Sequence, residues 1–144
     1  MRFAFSLLQV FFALLMLASA GGKLLDMRGF YGIVETYQMV PSAIIPLSAW
    51  MLTLFELLLG FALLEKRIAA TASLALVPLH LFYLAGLSQA LLRGLSLPNC
   101  GCFGVYWGRP LTGYTLIEDI VLLILAFALC KWLRSGSTSP SVTR

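Results

Sequence analysis

Four long apolar runs, separated by short polar or glycine-rich segments, dominate the chain. The first goes from Phe3 to Ala20 and resumes after Gly21, Gly22 and Lys23 in Leu24 and Leu25. The others cover about Ile44 to Leu64, Ile68 to Leu92 and Leu116 to Leu133. Each approaches the ~20 residues that an α-helix needs to cross the hydrocarbon of a bilayer. None alternates as a barrel strand does, and a backbone in lipid must satisfy its hydrogen bonds within the segment, so the runs are read as helices. The pattern predicts an all-α fold, an integral membrane four-helix bundle with spans at about 3–22, 44–64, 68–92 and 115–133. Ala18-Ser19-Ala20 has the small residues of a signal cleavage site, but the run is long for a signal peptide, and a retained helix is expected.

Between the first two runs, Phe30, Ile33, Val34 and Tyr37 fall at helical spacing with Glu35, Thr36 and Gln38 among them. This predicts a short interfacial helix, closed by Pro41, with its aromatic residues at headgroup level. Glu65-Lys66-Arg67 is so short a link that the second and third helices must be antiparallel neighbours. Pro78 predicts a kink in the third. Residues 135–144, rich in Ser, Thr and Pro, are expected to form a disordered tail, leaving residues 1–134 as one membrane domain.

Composition supports lipid as the solvent. Of the 144 residues, 60% are hydrophobic and 11% charged, and the mean hydropathy is +0.94; a soluble domain carries roughly 25% charged residues. The lipid bilayer is thus the first partner, and no nucleic-acid-binding pattern accompanies the net charge of +4. Basic residues instead cluster at the ends of the runs. Arg2, Lys66, Arg67, Lys131, Arg134 and Arg144 share one side, against Lys23, Arg28, Arg93 and Arg109 on the other. The positive-inside rule then predicts cytoplasmic termini, with the interfacial segment and the loop after the third span outside.

That loop reads Ser96-Leu97-Pro98-Asn99-Cys100-Gly101-Cys102-Phe103-Gly104 and holds two of the three cysteines. Cys130 lies in an apolar run and is expected to be an inert, buried small hydrophobe. With one glycine between them, Cys100 and Cys102 can close a very small ring. A disulfide in so tight a loop departs from relaxed geometry and should reduce easily, which makes Cys100 and Cys102 the candidate catalytic pair. Phe103 and Trp107, with Phe30 and Tyr37 of the interfacial segment, are candidate partner-binding residues. The competing readings are idle or merely bridged thiols, and a soft-metal site for an ion such as Cu(I). No second cysteine pair or His-Met cluster supports the latter, so no metal ligands are assigned.

A second group of candidates is polar. Glu56 and His80 each lie about 12 residues in from the outer end of their helices, roughly 18 Å deep, and are expected to meet, with Gln9 at a similar depth. Such groups usually face the bundle interior and pair, whether as a structural clamp, a proton path or a quinone pocket. A quinone is compatible with the sequence but not required by it. Lys23, Asp26 and Asp119 gather toward the cysteine side, Lys23 and Asp26 at a spacing that permits pairing. A cation there favours thiolate, and Asp119 can hold a proton.

These segments taken in order resemble the MauE branch of the MauE and DoxX group of redox-associated membrane proteins. The resemblance rests on Ala20-Gly21-Gly22-Lys23-Leu24-Leu25-Asp26, Gly29-Phe30 with Val34, Tyr37, Val40 and Pro41, Glu56 with Gly60, and Cys100-Gly101-Cys102-Phe103-Gly104 with Asp119 beyond it. It implies a four-helix bundle in the bacterial cytoplasmic membrane, engaged in thiol or electron traffic. It further implies a role in processing, transport or maturation of a periplasmic client, in the methylamine system the disulfide-rich small subunit of methylamine dehydrogenase. The expected function is thiol-disulfide exchange with a periplasmic thioredoxin-like or disulfide-containing protein. A noncatalytic scaffold or chaperone and a copper-handling protein are the alternatives.

Overall fold

The structure, a computed structural model, describes residues 2–137. Five α-helices follow one another: α1 (Arg2–Leu25), α2 (Met27–Thr36), α3 (Ile45–Leu64), α4 (Ala69–Leu92) and α5 (Gly113–Ser137). A 3₁₀ turn, Ser42–Ile44, leads into α3, and Pro46 follows in its first turn, where a missing N–H costs nothing. Among the described residues, three helical stretches are long and apolar enough to cross a membrane: Phe3–Leu25, Ser42–Leu64 and Ala69–Leu92. The protein is therefore a multi-pass, all-α membrane protein with a short interfacial helix, α2, between its first two spans. α5 lies alongside α4 and carries Glu118 and Asp119 in its early turns. It reaches Ser137, past Arg134, where the membrane domain was expected to stop; the rest of the expected disordered tail lies outside the described residues.

α1 packs mainly on α3, and α4 on α5. Their shared core includes Phe12, Ala13, Met16, Leu59, Leu63, Leu76, Ala126 and Leu129. Outward, Leu7, Leu14, Leu58, Phe61, Phe82 and Phe127 stay exposed, an arrangement that only an apolar solvent stabilises. α4 runs unbroken through Pro78, because a helix packed among neighbours tolerates the one backbone hydrogen bond that proline removes. Phe5 stacks on Trp132 at 4.9 Å and Gln9 Nε2 donates to the Leu63 carbonyl at 2.6 Å, closing the end of the bundle that holds the N-terminus of α1.

The opposite end is built around the cysteine loop. α2 starts on Asp26, whose carboxylate accepts the Gly29 N–H at 2.8 Å as an N-cap. The loop between α4 and α5 carries its own small core of Leu87, Ala90, Leu97, Cys100 and Leu111. Its two limbs are pinned by the Cys100 N–H to the Arg109 carbonyl at 2.7 Å and the Leu111 N–H to the Leu97 carbonyl at 2.9 Å. Gly22 of α1 and Gly104 of the loop meet backbone to backbone, and a β-carbon on either would collide with a carbonyl oxygen of the other segment. The loop thus folds down onto α1 instead of standing off the bundle.

Candidate functional site

Cys100 and Cys102 bracket Gly101, which adopts φ +76°, a left-handed conformation that glycine reaches without penalty. The Asn99 side chain shapes this turn, accepting the Gly101 N–H at 2.8 Å and donating to the Gly104 carbonyl at 3.0 Å. Both carbonyls that flank the glycine are held from outside the loop. Tyr37, which ends α2, donates its hydroxyl to the Cys100 carbonyl at 2.7 Å, and the Ser19 hydroxyl of α1 lies 2.5 Å from the Cys102 carbonyl. Both cysteines are free thiols, their sulfurs 3.1 Å apart, and Cys100 is buried while Cys102 is half-buried. Closure to a disulfide of ~2.05 Å requires an approach of about 1 Å.

The proximity divides the two thiols chemically. A hydrogen bond from Cys102 stabilises the Cys100 thiolate, and against the opposing effect of burial lowers its pKa to about 6, with help from the Cys102 backbone N–H and the Arg109 charge. Cys102, donating to that thiolate and buried beside it, is pushed well up. One proton is therefore shared, with Cys100 as the nucleophile or leaving group and Cys102 as the thiol. Tyr37 is raised, by burial first and then by the charge of the cysteines, so it remains a phenol able to donate to the loop.

Beneath the pair lies a buried ion pair. Lys23 Nζ contacts Glu56 Oε2 at 2.5 Å, and both side chains are 0% exposed. The three protons of the ammonium go to Glu56, to Ser19 Oγ at 2.8 Å and to Tyr83 Oη at 3.0 Å, and the Phe30 and Tyr83 rings each lie 5.4 Å away. Tyr83 in turn donates to Glu56 Oε1. Every donor on Lys23 has an acceptor, the condition under which a charge can be held away from water. Because Ser19 touches Lys23, Glu56 and the Cys102 carbonyl, the ion pair and the cysteine turn form one hydrogen-bonded unit.

A small cavity of about 80 Å³ adjoins this unit, with Glu56, His80, Cys100, Cys102 and Asp119 in its wall. Among the described residues, Asp119 Oδ2 is buried with no hydrogen-bond partner. His80 packs edge-on against Phe12, and its Nδ1 lies 2.9 Å from the Leu76 carbonyl, so Nδ1 carries a proton and donates it there. Among the described residues no three His, Cys, Asp or Glu side chains come together as metal ligands.

Of the residues singled out from sequence, Lys23, Glu56, His80, Asp119, Cys100 and Cys102 converge. Three details differ from expectation. Lys23 pairs with Glu56, while Asp26 caps α2. Gln9 sits with Leu63 at the other end of the bundle, because α1 continues to Leu25 and it is Ser19 and Lys23 that come level with Glu56. Phe30, 3% exposed, lies under Gly101, and Tyr37 props the loop, so the outward aromatic surface is Trp107 with Tyr106, beside half-buried Phe103. Ser19 and Tyr83 escaped notice; the signal available for Ser19 was its place four residues before Lys23, on the same face of α1.

The fold and the thiol pair define a small multi-pass membrane protein of the redox-associated kind. The family described as methylamine utilisation protein MauE matches residues 1–131. A relative named methylamine utilization protein MauE, from Paracoccus denitrificans, is 31% identical over 126 residues, which cover 88% of this chain and 68% of the relative. The chain belongs to the MauE family. No solved structure matches it.

Proposed function

We propose that the protein performs thiol-disulfide exchange on a periplasmic client, with Cys100 and Cys102 as the reacting residues. The observation that carries this reading is the pair itself: two free sulfurs 3.1 Å apart, unequal in acidity and held by the side chains of Ser19 and Tyr37. In the oxidised form, a client thiolate attacks the sulfur of Cys102, the less buried residue of the two, and Cys100 departs as the better leaving thiolate. A second client thiol then attacks the client sulfur of this mixed disulfide and expels Cys102, leaving an oxidised client and a reduced pair. Asp119, in the wall of the same cavity, would return a proton to Cys102 as it is expelled. The distribution of basic residues supports a four-span arrangement with α5 as the last span, cytoplasmic termini and the cysteine loop in the periplasm of a bacterial inner membrane. The client proposed is a thioredoxin-like or disulfide-bearing protein, in a methylamine-using cell the small subunit of methylamine dehydrogenase.

Redox titration tests the reading: Cys100 and Cys102 should interconvert with a disulfide in thiol buffers at periplasmic potentials, and an impermeant maleimide should label them in spheroplasts after reduction. A pair that stays reduced under oxidising conditions, or client maturation that survives Cys100→Ser with Cys102→Ser, counts against it. The exposure of Tyr106 and Trp107 favours a second reading, a noncatalytic scaffold, under which the double serine variant works and Trp107→Ala does not.

A further inference from the structure

A second and much larger cavity, about 750 Å³, lies between α2, α3 and α4. Its volume falls in the range of sites for small organic ligands. Its lining is almost wholly apolar, and Met51, Phe55 and Phe82, which contribute to it, are also exposed on the outer surface of α3 and α4. The ligand it suits therefore enters from the hydrocarbon and is itself lipid-soluble. Cys100, Gly101 and Tyr83 also line it, and Cys100 and Tyr83 belong as well to the wall of the small polar cavity. Cys100 thus stands between a space for an apolar ligand and a space lined with Glu56, His80 and Asp119.

This inference rests on the exchange reading, because each turnover that oxidises a client leaves the pair reduced and in need of a two-electron acceptor. The described residues offer no second thiol pair to serve as one: the third cysteine, Cys130, is buried on α5, 28 positions beyond Cys102 in the sequence. The acceptor must also take protons and partition into lipid, and a quinone combines these properties. We propose that the cavity between α2, α3 and α4 binds the ring of a membrane quinone, which oxidises the Cys100–Cys102 dithiol to the disulfide. The balance is a dithiol plus a quinone giving a disulfide plus a quinol. One sulfur–sulfur bond forms, two electrons pass to the ring, and the quinol gains two protons: the one that Cys102 loses and one drawn from solvent to replace the proton Cys100 has already released. The isoprenoid tail leaves the cavity past Met51 and Phe82 into lipid.

The test uses the full chain in detergent micelles, reduced and freed of reductant under anaerobic conditions. Decylubiquinone should be reduced one for one with disulfide formed at Cys100–Cys102. Val34→Trp, which fills the cavity from α2, should slow quinone-dependent oxidation by about tenfold or more while exchange with a soluble disulfide such as oxidised glutathione stays within about twofold. On the wild type, which carries no folding risk, an azidoquinone should photolabel peptides of α2, α3 or α4 around the cavity. Normal exchange with oxidised glutathione but no quinone reduction overturns this inference and leaves the exchange reading standing. Failure of both overturns the exchange reading itself. Azidoquinone labelling confined to other helices, or a co-purifying phospholipid that excess decylubiquinone does not displace, assigns the cavity to something else.

Discussion

Replacing Lys23 with methionine keeps most of the side-chain volume and removes the charge beneath the cysteine turn. Glu56 would then be a fully buried carboxylate left with Tyr83 and Ser19 as its hydrogen-bond partners. Two magnitudes compete. Hydrogen bonds between membrane helices average only ~0.6 kcal/mol, so the two that Lys23 donates to other helices, to Glu56 on α3 and Tyr83 on α4, would together be worth about 1 kcal/mol. Stranding one member of a buried ion pair costs about 3–5 kcal/mol, because the remaining charge keeps its desolvation penalty without its partner. At 1.4 kcal/mol per tenfold, the second figure corresponds to a loss of roughly two to nearly four powers of ten in the folding equilibrium. The cost of the stranded carboxylate should dominate in Lys23→Met, whereas the double variant Lys23→Met with Glu56→Met removes both charges and should recover most of the loss. Reversible unfolding in mixed micelles, followed by far-ultraviolet circular dichroism as dodecyl sulfate is raised, measures Lys23→Met, Glu56→Met and the double variant as a double-mutant cycle. A Lys23→Met cost under about 2 kcal/mol, with the double variant no better than the single, would mean that the pair contributes only ordinary hydrogen bonds and that the argument for a paired charge is wrong.

Two further outcomes follow from the loop. Only the thiolate reacts with iodoacetamide, so the rate at Cys100, read by peptide mass spectrometry, should rise as pH passes about 6 and level off near neutrality, and in Cys102→Ala, which removes the hydrogen-bond donor, the midpoint should move to higher pH; identical profiles would show that the pair shares no proton. Gly101→Ala forces a β-carbon into a positive-φ residue, to within 2.8 Å of Ile33 Cγ2 and 3.3 Å of Phe30 Cε2, and should cost about 1–3 kcal/mol in the same unfolding assay and speed labelling of Cys100; an unchanged labelling rate would show that the turn does not depend on its glycine.

Helix positions were readable from sequence because they depend on local quantities. An apolar run of sufficient length must be helical in lipid, and Pro41 and the Glu65-Lys66-Arg67 link mark where runs end. The α2 segment was equally legible, since Phe30, Ile33, Val34 and Tyr37 carry a helical period. The Cys100-Gly101-Cys102 pair was legible as chemistry because one intervening residue keeps two sulfurs close in almost any fold.

The sequence alone thus determined where the helices lie, what solvent surrounds them and which two sulfurs sit side by side. Tertiary structure decided the partners. Lys23 had Asp26 three residues away, yet reaches Glu56 on another helix, because its place on α1 faces α3 in the interior while Asp26 has left the helix to cap the next one. Ser19, and not Gln9, meets Glu56, since the register between α1 and α3 is set by side-chain packing across the pair and not by counting from span ends. The large apolar cavity has no sequence signature at all: its walls come from three helices, and their residues lie side by side only after the helices have rotated and packed. A run of apolar residues specifies that a helix is buried in lipid, but which face meets which neighbour is a property of the assembled bundle.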